Sequence, residues 1–171
     1  CKISITCIDD CTDLELKSIE RELSIISKLN FPSVLNFVGF SLNNFKNQER
    51  PTFITELVTN GSLDEILDME KKGLFVDGWN DTKKLINIYG IAIGMSYLHS
   101  MNILHRDLKP ANIFVDEYLY PKIGDFGLSK EIKDNPTQIE TKDSKPPPNS
   151  GNKGTIPYMS PEIIEKCEYT K

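Results

Sequence analysis

Eight consecutive residues, His105-Arg106-Asp107-Leu108-Lys109-Pro110-Ala111-Asn112, and the Asp125-Phe126-Gly127 that follows after a short apolar run, constrain this chain more than anything else in it. They set two carboxylates, an amide and a lysine at fixed offsets. Metal-assisted phosphoryl transfer asks for that set: an acid to orient a hydroxyl, two oxygen ligands for magnesium and a cation for the phosphate. Asp107 is then the candidate base, Lys109 the cation, and Asn112 and Asp125 the candidate metal ligands. Asp, Asn, Pro and Gly are also turn residues in their own right, so each piece alone reads as an ordinary loop. The coincidence of several independent matches at one spacing weighs against that reading.

The combined string resembles the catalytic loop and the metal-binding loop of the eukaryotic protein kinase family, and the resemblance extends over nearly the whole chain. It implies an α+β fold of two lobes, ATP and Mg2+ as cofactors, and a protein substrate offering a serine or threonine hydroxyl. Residues 1–55 would be part of the N-terminal lobe, 56–60 the hinge, 61–171 part of the C-terminal lobe, and 125–162 the activation segment. A full domain of this family is longer than 171 residues. The expectation is therefore a partial domain, lacking the start of the N-lobe with its glycine-rich phosphate loop and the end of the C-lobe. Lys109 two residues after Asp107, together with Gly154-Thr155, is the serine/threonine pattern. The hinge and Tyr158 to Glu162 resemble the tyrosine-kinase-like branch of those enzymes.

Composition narrows the partners. With 39% hydrophobic residues the chain has enough apolar side chain for one core. A net charge of −5, and no basic run longer than the pairs Lys71-Lys72 and Lys83-Lys84, argue against nucleic acid. Cys1, Cys7, Cys11 and Cys167 have neither zinc-like pairing nor the density of a disulfide scaffold, so they read as isolated thiols. No secretory leader is expected, and the most apolar segment, Leu85 to Leu98, is interrupted by polar and small residues and too short to span a bilayer. The expectation is a cytoplasmic protein with no membrane span in this chain.

Along the chain, Cys1 to Ile5 alternates as a strand does and carries Lys2, which the resemblance makes the lysine that pairs with nucleotide phosphates; the alternative is a solvated lysine near a chain end. From Leu14 to Leu29 the residues Leu16, Ile19, Leu23 and Ile26 mark one helical face, with Glu22 inside the arc. A carboxylate there needs a cation. Lys2 is the obvious one; Glu15 shares the arc, and the family pattern selects Glu22. Ile26 and Phe37 would stack with Phe126 and His105 as the family's regulatory spine. Val34 to Phe40 and Pro51 to Val58 read as strands around a polar loop, Asn43 to Arg50. On resemblance alone, Thr55 would be the gatekeeper, the Glu56 carbonyl and the Val58 amide would contact adenine, and Phe114 would pack beneath it. Ser62 suits the N-cap of a helix from near Leu63, and Asp81 or Thr82 that of a helix running to about His99, apolar nearly all round and so expected to be buried. Ile113 to Val115 reads as a short strand. Between Ser129 and Asn152 apolar residues almost vanish, and a mobile activation loop is expected.

Three functions fit these residues. The first is a serine/threonine kinase, with Lys2 and Glu22 positioning ATP and a phosphate on Thr137, Thr141, Ser144 or Ser150, placed by an upstream kinase or by self-phosphorylation, pairing with Arg106. The second is a small-molecule kinase of related fold, a group that lacks Asp-Phe-Gly and the Ser160-Pro161-Glu162 segment. The third is a non-catalytic pseudokinase or scaffold, against which stands the presence of every catalytic side chain that falls within this chain.

Overall fold

The structure, a computed structural model, describes residues 3–7, 13–132, 155–159 and 161. Lys2, the four hydroxyl residues between 137 and 150, Gly154, Ser160 and Glu162 lie outside the described residues.

Strands β1 (Ile3–Cys7), β2 (Phe37–Asn43) and β3 (Glu49–Glu56) form an antiparallel sheet in the order β1-β3-β2. Phe40 and Phe53 pack edge to face on it, ring centroids 5.4 Å apart. The β2–β3 turn is tight because the Asn44 side chain accepts the amides of Lys46 and Gln48 while Asn47 takes φ 59. That turn chemistry starts β3 earlier than the apolar run alone indicates.

Helix α1 (Asp13–Ile26) buries Ile19, Ile25 and Ile26. Its end is wound down by hydrogen bonds from Lys28 and Leu29 to the carbonyls three residues back. The chain then turns onto helix α3 (Asp81–Ser100), where Phe31 stacks on Tyr97 at 4.6 Å and the Tyr97 hydroxyl accepts the Asn30 amide. Val34 and Leu35, expected in β2, are spent elsewhere. Leu35 donates to the Ile123 carbonyl and Ile123 to the Ser33 carbonyl, both at 2.8 Å, so this turn pairs with strand β6 (Pro121–Ile123) instead.

Helix α2 (Leu63–Lys71) opens with Ser62 and Glu65 capping each other's backbone. For α3 the cap is Asn80, not Asp81 or Thr82: its side chain accepts the Lys83 amide at 3.0 Å, which places Asp81 in the first turn. Strands β4 (Ile103–Leu104), β5 (Ile113–Val115), β6 and β7 (Lys130–Glu131) pair as β4-β7 and β5-β6, antiparallel. Among the described residues no helix is long and apolar enough to cross a membrane.

Burial of α3 differs from expectation. One face is pressed onto β6, while Leu85, Ile88 and Tyr89 on the other are each 66% exposed, because among the described residues nothing packs there. The pressed face depends on small residues. A methyl at Gly94 would sit 2.7 Å from Ile123 Cδ1 and 3.3 Å from the Ser33 carbonyl oxygen. Gly94→Ala gains roughly 1 kcal/mol in an open helix. Here it is expected to lower stability by about 1–3 kcal/mol, as overpacking does. An unchanged or raised thermal midpoint would show that α3 can back away from β6.

Candidate active site

The catalytic string lies between β4 and β5 and ends in a 3-10 turn, Pro110–Asn112. One of its residues, Arg106 at φ 67, is held in the left-handed region, as is Asp125 across the site at φ 59. Such backbone persists only where surrounding contacts over-determine it. His105 supplies several of these. Its ring is buried and 5.2 Å from that of Phe126. Burial pushes its pKa down, so the imidazole is neutral near pH 7. Nδ1 accepts the Asp107 amide at 3.4 Å, which leaves Nε2–H to donate to the Gly124 carbonyl at 2.9 Å. Arg106 Nε donates to the Leu128 carbonyl at 2.6 Å, and Ser129 Oγ to the His105 carbonyl. The loop bearing Asp107 and the loop bearing Asp125 are thus fastened together through main-chain atoms.

Asp107 is met on both carboxylate oxygens. Oδ1 accepts the Thr155 amide and hydroxyl, each at 3.0 Å; Oδ2 accepts Lys109 Nζ at 2.8 Å and Asn112 Nδ2 at 3.0 Å. Burial pushes this carboxyl's pKa up, but the hydrogen bonds from Lys109, Thr155 and Asn112 outweigh it and hold the group below the usual carboxylate range. The same bond raises Lys109. Lys109 Nζ also donates to Thr155 Oγ1 at 2.8 Å, so the ammonium lies against both groups that would face an incoming hydroxyl.

A cavity of about 760 Å³ opens beside this cluster, and Thr55, Val58, Phe114, Asn112, Asp125 and Glu22 all line it. Six of the residues singled out in the sequence are therefore brought together. Glu56 does not line it; its carboxylate binds the Asn36 amide and Lys122. Ile26 and Phe126 share one buried cluster, with Phe37 packed against it. Glu22 has its pKa pushed up to about 7, chiefly by burial, with the negative charge of Asp125 adding and a hydrogen bond from the Phe126 backbone opposing. Its expected partner Lys2 lies outside the described residues.

The donor set suits magnesium. Asn112 commits its amide nitrogen to Asp107, leaving the oxygen for a cation, and Asp125 adds a carboxylate on the same cavity. One or two oxygen ligands completed by phosphate and water is how Mg2+ is usually held. Lys122 and Thr155 were not legible as partners: nothing in their sequence surroundings names Glu56 or Asp107.

The family model for the protein kinase domain matches residues 2–171. The chain belongs to the protein kinase family. Among curated kinases it is similar to Cysteine-rich receptor-like protein kinase 1 of Arabidopsis thaliana, 33% identical over 154 residues, which is 88% of this chain and 22% of that protein. Cysteine-rich receptor-like protein kinase 6 of Oryza sativa subsp. japonica is 36% identical over 159 residues, 91% of this chain and 20% of the relative. A putative serine/threonine-protein kinase/receptor of Acanthamoeba polyphaga mimivirus is 31% identical over 161 residues, 92% of the chain and 9% of the relative. The chain thus spans about a fifth or less of the length of these kinases. Its mixed helices and strands are the α+β kinase fold that the catalytic string implied.

Proposed function

We propose that this kinase chain binds ATP with Mg2+ in the cavity lined by Thr55, Val58 and Phe114 and transfers the γ-phosphoryl group to a serine or threonine hydroxyl of a protein. The observation that carries the reading is Asp107, held ionised by Lys109, Thr155 and Asn112 beside that cavity. Asp107 accepts the proton of the attacking hydroxyl, while Lys109 offsets charge on the transferring phosphoryl. Asn112 and Asp125 would hold Mg2+, which would supply charge neutralisation at the phosphate oxygens. Glu22, raised by burial in the absence of a described partner, fits a role in which a lysine, Lys2, restores its charge and the pair positions the phosphates. The Val58 amide contacts adenine, with residues 1–55, 56–60 and 61–171 acting as lobe, hinge and lobe. The reaction takes place in the cytoplasm, and a phosphate on Thr137, Thr141, Ser144 or Ser150 regulates it.

The test is to incubate the full-length protein with Mg2+, labelled ATP and peptides carrying Ser, Thr or Tyr, then identify the labelled amino acid. Label on Ser or Thr is expected. Label confined to Tyr would contradict the substrate class, and nucleotide binding without any transfer would favour a scaffold.

A further inference from the structure

Asn60-Gly61 is the one place in the chain where a glycine follows an asparagine. With no side chain in the way, the nitrogen of such a glycine can reach the asparagine side-chain carbon and close a five-membered imide. The structure leaves that nitrogen available. The Asn60 amide donates to the Val115 carbonyl at 3.2 Å and the Ser62 amide to Glu65 Oε2 at 2.8 Å, but among the described residues the Gly61 amide between them donates to nothing. Gly61 itself takes φ 70. The half-buried Asn60 side chain is held at one point: Nδ2 donates to the Asp116 carbonyl at 2.6 Å, and among the described residues Oδ1 accepts nothing. One hydrogen bond of modest net worth is all that must open. Asn87 and Asn112, by contrast, each use the amide nitrogen twice and precede isoleucines, whose branched side chains block the approach.

The segment that carries the pair borders the nucleotide cavity. Gly61 and Ser62 line it, Val115 donates to the Gly61 carbonyl at 2.9 Å, and Ser62 bridges to Phe114 on β5. Aspartate in place of Asn60 would set a carboxylate oxygen where Nδ2 now meets the Asp116 carbonyl, so two acceptors would face each other. Isoaspartate goes further, because it routes the main chain through the side-chain carbon and adds one carbon between residues 60 and 61. The bonds of Asn60 and Gly61 to Val115 cannot then both be kept.

We propose that Asn60 is a site of spontaneous, irreversible modification that switches off nucleotide binding. The Gly61 nitrogen forms a bond to Asn60 Cγ, the Cγ–Nδ2 bond breaks, and the nitrogen leaves as ammonia with the Gly61 amide proton. Water then opens the imide: cleavage of the new N–Cγ bond leaves aspartate, and cleavage at the main-chain carbonyl leaves isoaspartate. One water is consumed and one ammonia released, with no other reactant. The effect on binding rests on the reading of the cavity as the ATP site.

The experiment ages the full-length protein without nucleotide at mildly alkaline pH, beside a urea-denatured sample and an Asn60→Gln variant, whose larger ring closes far more slowly. Residue 60 is followed by peptide mass spectrometry with an isoaspartate methyltransferase assay, and nucleotide binding by titration with a fluorescent ATP analogue. Since one hydrogen bond must open, isoaspartate and aspartate are expected at residue 60 of the native protein within about tenfold of the denatured rate. The fraction that binds the analogue should fall in step with the unmodified fraction, while Asn60→Gln keeps its own starting affinity. Fresh Asn60→Asp should bind about tenfold more weakly than fresh wild type. An intact Asn60 in the native protein while the denatured sample converts would overturn the proposal, because the fold then closes the reaction. Conversion with unchanged affinity, wild-type affinity in Asn60→Asp, or an equal loss of binding in aged Asn60→Gln would overturn it as well. If fresh wild type fails to bind the analogue while residue 60 still converts, the ATP site itself is misplaced, and the switch falls with it.

Discussion

Asp107→Asn is expected to lower phosphoryl transfer by about 10² to 10⁴, the usual consequence of losing a positioned acid-base group, while nucleotide affinity changes little. The geometry explains why so conservative a change is severe. Lys109 donates to Thr155 Oγ1, so that hydroxyl must pass its own proton on to Asp107 Oδ1. Every neighbour of the carboxylate is then a donor: the Thr155 amide and hydroxyl on one oxygen, Lys109 and Asn112 on the other. An amide in its place must turn its NH2 against one of these pairs whichever way it flips. It loses the base and also disturbs the Lys109 ammonium that should face the phosphoryl group. Turnover at saturating ATP, alongside nucleotide affinity measured separately, checks this; unchanged turnover would remove Asp107 from the base role. A variant with wild-type affinity and a wild-type thermal midpoint but lost turnover would place the effect in the chemical step.

Parts of this site could be read in the sequence because the chemistry demands neighbours in the chain. Asp107, Lys109 and Asn112 fall within one loop and its 3-10 turn, so their types and offsets suggest the role proposed for them before any fold is known. Faces of helices were legible for a similar reason: Ile19 and Ile26 recur at helical spacing and are buried. What failed depended on partners far away in sequence. Val34 and Leu35 alternate like the start of β2, yet the Val34 amide turns back to the Phe31 carbonyl and the Leu35 amide goes to Ile123. The cap of α3 was expected at Asp81 or Thr82, but it is Asn80 that takes the extended backbone, φ −147 and ψ 178, and accepts the Lys83 amide. For α3 itself an apolar pattern on all sides specifies what the helix would prefer to cover, not which neighbours cover it. Lys122 reads as one more surface lysine until Glu56 is beside it.

Gly124→Val is expected to weaken nucleotide binding about tenfold to a hundredfold, and Phe114→Leu in the same chain to recover most of the loss. A Cβ at Gly124 would stand 2.7 and 2.9 Å from two ring carbons of Phe114 and 3.3 Å from Leu35 Cδ2. The backbone cannot yield, since the Gly124 amide is held by the Asn112 carbonyl at 3.0 Å and its carbonyl by His105 at 2.9 Å. The ring must therefore move, and Phe114 lines the cavity. Forcing an added side chain into such a contact typically costs about 1–3 kcal/mol, and each 1.4 kcal/mol of it that appears in binding is roughly a factor of ten. A shorter, more adaptable leucine at position 114 gives that volume back, which separates this steric account from a general loss of structure. Titration of the two variants with ATP and Mg2+, with thermal melts to show that both are folded, decides it. Wild-type affinity in Gly124→Val, or no recovery on adding Phe114→Leu, would mean that Phe114 is not the floor on which the nucleotide rests.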